Sequence, residues 1–176
     1  MTTIAYKDGL LVSDSRAYSG SSLPIGNKRK MIILDDGSAV AVSTTQPGLA
    51  EKIMRWYDDV LHCEEDEEVQ IPQVEGNNFY MLLIDADDGV FFSNDSMDLS
   101  GPLTADYFAI GSGSDYAMGA MAMGANAIEA VAASIKHDVY SGWPLLVINR
   151  NENTEMWLSE ADYHAAHAEP ALIETP

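Results

Sequence analysis

The apolar positions of this chain fall mostly in short runs that arrive in pairs, each pair joined by turn residues. Residues 2–6 and 10–13 read as two strands of a hairpin around Lys7-Asp8-Gly9. Residues 29–34 and 38–43 make a second pair around Asp35-Asp36-Gly37, and residues 79–84 and 90–93 a third around residues 85–89. The stretch 107–110 is a further strand, running into Gly111-Ser112-Gly113, and a last hairpin joins 145–148 to 154–157 through Asn151-Glu152-Asn153. Helical spacing takes over between these pairs. Pro47 suits a first helical turn, and behind it Leu49, Ile53, Trp56, Tyr57 and Val60 recur on one face until His62-Cys63. Residues 116–124 are rich in Ala, Met and Gly. Ile128, Val131, Ile135 and Val139 form the apolar stripe of the next helix, with Gly142 and Pro144 as its stop signals. A short helix is expected over 160–166, and the tail from about 167 reads as frayed.

Hairpin-like strand pairs with helices gathered between them predict an α+β layer fold. With 176 residues, 47% hydrophobic content, no repeat and no linker, residues 1–176 suit one domain with a sizeable core. The charge balance is nine basic against 28 acidic side chains, a net of −19, which argues against nucleic acid and anionic membrane surfaces as partners. Such a field attracts basic substrates and repels acidic ones. No apolar run reaches transmembrane length and the opening residues do not resemble a signal peptide, so a cytoplasmic location is expected. The single cysteine, Cys63, excludes an internal disulfide framework, and its acidic neighbours make it a poor nucleophile.

Three motifs invite chemistry that their spacing refuses. Asp85-Ala86-Asp87-Asp88-Gly89 resembles a calcium loop, but its fifth ligand position falls on Gly89 and no Glu stands at the twelfth, so a hairpin turn is the better reading. Gly111-Ser112-Gly113 would need another Gly where Tyr116 stands to bind a dinucleotide. His62, His137, His164 and His167 show no metal-ligand spacing, so neither a metal nor a cofactor is expected. The acidic residues 64–68 read as a solvated loop, and residues 75–78 as a turn.

The richest stretch is the first thirty residues. If Met1 is removed, Thr2 holds a nucleophilic hydroxyl and its own base, because a free α-amine titrates at about 7.7–8.0. Asp14 and Lys30 stand close enough in sequence to fold against it as an acid and a cation. Thr2 has a small side chain of the kind that ordinary methionine aminopeptidases accept behind Met, so active protein is expected to begin at Thr2.

Met1-Thr2-Thr3-Ile4, Val12-Ser13-Asp14-Ser15-Arg16-Ala17-Tyr18-Ser19-Gly20, Lys28-Arg29-Lys30-Met31-Ile32, Ile110-Gly111-Ser112-Gly113-Ser114-Asp115-Tyr116-Ala117 and Asp138-Val139-Tyr140-Ser141-Gly142 occur in that order. Together they resemble a proteasome β-type subunit, a member of the N-terminal-nucleophile hydrolases, near the HslV peptidase and the proteasome homologues of β-proteobacteria. The resemblance spans roughly residues 2 to 160. It implies a four-layer α-β-β-α sandwich with one helix shortened or missing, because residues 64–78 are too acidic and too Pro- and Gly-punctuated for a full second helix. It implies a threonine endopeptidase acting through an acyl-enzyme on Thr2, with Asp14 orienting Lys30 and with Ser112, Asp138 and Ser141 holding the terminal amine. Arg16 matches a structural position. The resemblance further implies unfolded polypeptide or peptide substrates, a homo-oligomeric double ring of twelve or fourteen subunits, and a possible ATP-dependent unfoldase partner. One departure is plain. Relatives place a Gly-rich turn after the second strand pair to hold the oxyanion, whereas this chain reads Ser43-Thr44-Thr45-Gln46, so Ser43, Thr44 and Thr45 are the provisional oxyanion region. That departure keeps two other readings open: a catalytically silent ring or binding protein, and a related hydrolase acting on a small amide.

Overall fold

The computed structural model describes residues 2–18, 23–64, 69–74, 79–94 and 96–167. Period-two alternation in the predicted hairpins gives strands whose two faces bury different partners. β1 (Thr3–Lys7), β2 (Leu10–Asp14), β10 (Tyr107–Gly111), β11 (Leu145–Asn149) and β12 (Thr154–Leu158) form an antiparallel sheet in the order β10-β1-β2-β11-β12. β5 (Met31–Ile33), β6 (Ala39–Thr44), β7 (Phe79–Ile84), β8 (Val90–Asn94) and β9 (Ser100–Leu103) form a second, in sequence order. Ile4, Tyr6, Leu11, Leu146 and Ile148 of the first sheet meet Met31, Ala39, Ala41, Leu82 and Ile84 of the second in one buried cluster. The alternate residues of the first sheet, Ala5, Val12, Leu145 and Val147, pack against α2 (Ser114–Ala122) and α3 (Ala127–Ile135). Those of the second, Val40, Val42, Phe79 and Met81, pack against α1 (Leu49–His62) through Leu49, Ile53 and Met54. The architecture is α+β, and α4 (Glu160–Ala166) is the fourth helix among the described residues. No described helix is long and apolar enough to cross a membrane.

Local chemistry sets the helix ends. Asn126 caps α3 by accepting from the Glu129 N–H at 3.0 Å, and the Glu129 carboxylate accepts from the Asn126 N–H at 2.9 Å. α3 ends at Ile135, one turn before the stripe read from the sequence does, and Val139 is 67% exposed in the loop beyond it. Val60 also leaves the packed stripe, because only the first half of α1 lies on the sheet. A short two-stranded sheet, β3 (Arg16–Tyr18) with β4 (Pro24–Asn27), was not expected, nor was β9. All three are short, and β4 and β9 are exposed and carry Pro and Gly, which read locally as loop although an edge strand tolerates them. Residues 69–74 form neither helix nor strand. The rest of the acidic run at 65–68, the turn at 75–78, much of the stretch on which a shortened helix was expected, and the tail from 168 lie outside the described residues.

At the end of the sheets that carries the hairpin turns, Arg150 joins three of them. Its guanidinium donates to the Gly37 carbonyl at 3.2 and 3.1 Å and to the Asp85 carbonyl, and pairs with Asp88. The arginine side chain is 5% exposed, whereas Asp88 is 71% exposed. Arg150→Ala is therefore expected to cost about 3 kcal/mol, from charge-assisted bonds to carbonyls left unpaired, whereas Asp88→Ala costs less than about 1 kcal/mol. Urea midpoints at unchanged slope check both values.

Candidate active site

The site forms where the start of β1 meets the end of β2, the residue before β5, Ser112 and the loop after α3. Thr2 is 1% exposed, and its hydroxyl donates to Asp14 Oδ1 at the end of β2. The same oxygen accepts from the Lys30 ammonium at 2.7 Å and from the Thr3 N–H at 3.0 Å. The second oxygen, Oδ2, accepts from the backbone N–H groups of Arg16 and Gly142, each at 3.0 Å. A buried carboxylate with this many donors is held in one orientation. Lys30 is 2% exposed, one residue before β5, and the Asp14 contact is its ion pair. Burial pushes the Lys30 ammonium below the ordinary lysine range, and the Asp14 charge and hydrogen bond oppose that shift.

A second network holds the Thr2 nitrogen. Its N–H donates to Ser112 Oγ at 3.2 Å, Ser112 lies 2.8 Å from Asp138 Oδ2, and Ser141 Oγ donates to the same carboxylate oxygen at 2.7 Å. Since Ser141 spends its proton there, Thr3 is the donor in the 2.7 Å contact between Thr3 Oγ1 and Ser141 Oγ. The end of α3 positions Asp138, whose N–H donates to the Ser134 carbonyl, and Ser134 Oγ reaches the Gly113 carbonyl at 3.1 Å. The two glycines of Gly111-Ser112-Gly113 permit the approach. A Cβ at Gly111, where φ is +97°, would lie 2.1 Å from the Thr2 carbonyl oxygen, and one at Gly113 would lie 2.0 Å from Thr3 Oγ1.

Of the residues singled out for catalysis, Asp14 and Ser112 thus bond Thr2 directly, and Lys30, Asp138 and Ser141 stand behind them. Thr3 was not singled out, although its backbone joins the Asp14 network and its hydroxyl the Asp138 network. A Thr doublet was its only local signal. The sequence also left Tyr18 unassigned. Its hydroxyl donates to the Val139 carbonyl, which accepts from Arg16 Nη1 at 3.3 Å, and both tie β3 to the loop holding Asp138 and Ser141.

The provisional oxyanion residues divide. Ser43 and Thr44 close β6, and Ser43 Oγ lies 3.0 Å from the position of a Cβ on Gly111, beside Thr2. Thr45 follows in the exposed turn, where Thr44 Oγ1 accepts from the Gln46 N–H at 3.0 Å. The left-handed residue comes later than in a Gly-rich turn: Gly48, with φ +78°, stands at the N-cap of α1.

Neither a protein family nor a curated protein matches the sequence. Solved structures do match. BPH from Thiobacillus denitrificans, a bacterial proteasome homologue, in complex with epoxomicin, is 21% identical, with a TM-score of 0.56 over 90% of this chain and 98% of that one. Anbu (ancestral beta-subunit) from Yersinia bercovieri is 12% identical, with a TM-score of 0.67 over 95% of this chain and 91% of that one. An Anbu Gly-1 mutant from Hyphomicrobium sp. strain MC1, also 12% identical, has a TM-score of 0.69 over the same shares. Laid over these likenesses, the two sheets and the helices that flank them have the fold of a proteasome-like β-type protein.

Proposed function

We infer that this chain is a threonine peptidase subunit, built as the four-layer α-β-β-α sandwich of the N-terminal-nucleophile hydrolases. One observation carries the reading. The hydroxyl of Thr2 rests on the buried Asp14–Lys30 pair while its nitrogen rests on Ser112, backed by Asp138 and Ser141. Such an arrangement suits a residue that is nucleophile and base at once.

In this mechanism the free α-amine of Thr2 takes the proton of Oγ1 as that oxygen attacks the peptide carbonyl carbon. The Lys30 cation lowers the cost of negative charge on Oγ1, and Asp14 keeps that cation buried and aimed. The tetrahedral oxyanion is held by a backbone N–H of the Ser43 to Thr45 region. Collapse of the intermediate expels the amine product, which leaves with the proton from the α-amine, and forms an ester on Thr2. The α-amine then deprotonates a water, which attacks the ester and releases the acid product and Thr2. Substrates are peptides or unfolded polypeptides, and the working form is a cytoplasmic homo-oligomeric double ring, fed by an ATP-dependent unfoldase.

A silent ring or binding protein is the second reading, favoured by the burial of Thr2 and by the substituted oxyanion turn. Epoxomicin, the ligand in the structure of the Thiobacillus protein, separates the two. The expected result is a stoichiometric increase in intact mass that is lost in Thr2→Ala. Hydrolysis of fluorogenic peptides should vanish with the same change. No adduct in protein that begins at Thr2 would leave the silent reading standing.

A further inference from the structure

Thr3 belongs to both networks of the site, yet it takes no part in the chemical steps. Thr3 and Ser141 are fully buried. The Thr3 N–H donates to Asp14 Oδ1 at 3.0 Å, and its hydroxyl donates to Ser141 Oγ at 2.7 Å. Gly113 closes the remaining side, since a Cβ there would lie 2.0 Å from Thr3 Oγ1 and 3.2 Å from Thr3 Cβ. The side chain is therefore held on three sides.

The hydrogen bonds beyond Thr3 run in one direction, because a hydroxyl has a single proton to give. Ser141 gives its proton to Asp138 Oδ2 at 2.7 Å and accepts from Thr3. Ser112 Oγ stands 2.8 Å from the same carboxylate oxygen and 3.3 Å from the Thr2 carbonyl oxygen, and the shorter, charge-assisted bond takes the proton. Ser112 is left as an acceptor, and the Thr2 N–H fills that place at 3.2 Å. The other carboxylate oxygen, Asp138 Oδ1, accepts from the Tyr140 N–H at 3.1 Å. One chain of bonds thus leads from Thr3 through Ser141 and Asp138 to Ser112 and the Thr2 nitrogen, and bonds in such a chain polarise one another.

We propose that Thr3 is a positioning residue for the Thr2 nucleophile: its hydroxyl, acting through Ser141 and Asp138, sets the place and the basicity of the Thr2 α-amine. The proposal rests on the peptidase reading for its effect on turnover, and on the buried chain of bonds alone for its effect on the amine. In a chain that begins at Thr2, the nucleophile has one covalent neighbour. Fixing Thr3 from both sides, by Asp14 and by Ser141, therefore decides where amine and hydroxyl stand, and a small misplacement of reacting groups is costly. The Thr3 proton also strengthens the donation from Ser141 to Asp138. Without it, more carboxylate charge is left to hold the amine as ammonium, which has no lone pair to accept a proton. The other charged groups bonded into the site, Asp14 and Lys30, pair with each other, and neither loses a bond when the Thr3 hydroxyl is removed.

Thr3→Val removes that hydroxyl at nearly constant volume, and Thr3→Ser keeps it. Active subunits are counted by the mass of their epoxomicin adduct, so misfolded chains drop out. The expected kcat per active subunit falls about tenfold in Thr3→Val, the yield of one buried hydrogen bond, with KM little changed. The ascending limb of kcat/KM against pH moves to higher pH, and Thr3→Ser restores both. Wild-type turnover in Thr3→Val overturns the proposal. So does a loss that Thr3→Ser fails to restore, or one that leaves the pH limb in place, because packing alone would act in that way. A second arm does not depend on turnover. Protein that begins at Thr2 is labelled at its threonine methyl groups, and the Thr2 resonance is followed by NMR against pH. Its midpoint is expected to rise in Thr3→Val, or in Thr3→Ala where the valine chain does not fold, and an unchanged midpoint overturns the proposal. A raised midpoint in a protein that hydrolyses no peptide would instead count against the peptidase reading and leave the assignment of Thr3 in place.

Discussion

Peptide hydrolysis by this protein is expected to rise in proportion to the fraction of chains that begin at Thr2, and to be absent from chains in which another residue precedes it. The reason is the basicity of one nitrogen. In amide linkage the Thr2 nitrogen has no usable lone pair, and it serves only as the donor seen toward Ser112 at 3.2 Å. As a free α-amine it titrates at about 7.7–8.0, near enough to neutrality to accept the hydroxyl proton and return it. In the structure the Thr2 hydroxyl donates to Asp14. Intact-mass measurement beside a peptidase assay on the same preparations checks this. Full activity in protein that wholly retains a residue before Thr2 would end the threonine-nucleophile proposal.

The second large effect is expected at Lys30. Lys30→Ala should lower turnover by about a thousandfold, the scale seen when one preorganised electrostatic group is removed from a developing charge. The structure buries this lysine as completely as the core aliphatics. The alanine variant therefore also leaves the Asp14 carboxylate without its cation, at a cost of about 3 kcal/mol. That carboxylate keeps its bonds from Thr2, Thr3, Arg16 and Gly142, so the chain still folds. Lys30→Met retains the stem packing and separates the two effects: activity is lost while more of the melting temperature survives. Near-wild-type turnover in either variant would remove Lys30 from the mechanism.

A pH signature accompanies the lysine. Its folded pKa lies below the ordinary 10.5, because desolvation outweighs the pull of Asp14. Between the folded value and 10.5 the unfolded chain binds the extra proton, so native stability contributed by this group rises with pH across that window. Lys30→Met should abolish the alkaline gain, which urea titrations at stepped pH would reveal.

Much of the architecture could be read without coordinates because it is local. The hairpins at Asp8-Gly9, Asp36-Gly37 and Asp88-Gly89 follow from alternation and turn chemistry, and α1 from apolar spacing behind Pro47. Where the pattern carried no local signal, the reading failed: β4 and β9 are exposed strands with Pro and Gly, and Val139 continues a helical period after the helix has stopped. The residues that meet at the candidate site were legible too, since Thr2, Asp14 and Lys30 lie within one short stretch and Ser112, Asp138 and Ser141 lie in motifs of their own. What no sequence window contains is their meeting. Thr2 reaches Ser112 across 110 positions, Thr3 reaches Ser141 across 138, and Gly142 returns to Asp14 across 128. Those contacts exist because β10 and β2 flank β1 in one sheet while the end of α3 lies over it, an outcome of packing summed over the whole core. Packing likewise decided that Lys30 is buried and that Thr3 links both networks. Residue type and spacing determined which groups this chain has for chemistry. Burial, which depends on every neighbour at once, decided what those groups can do.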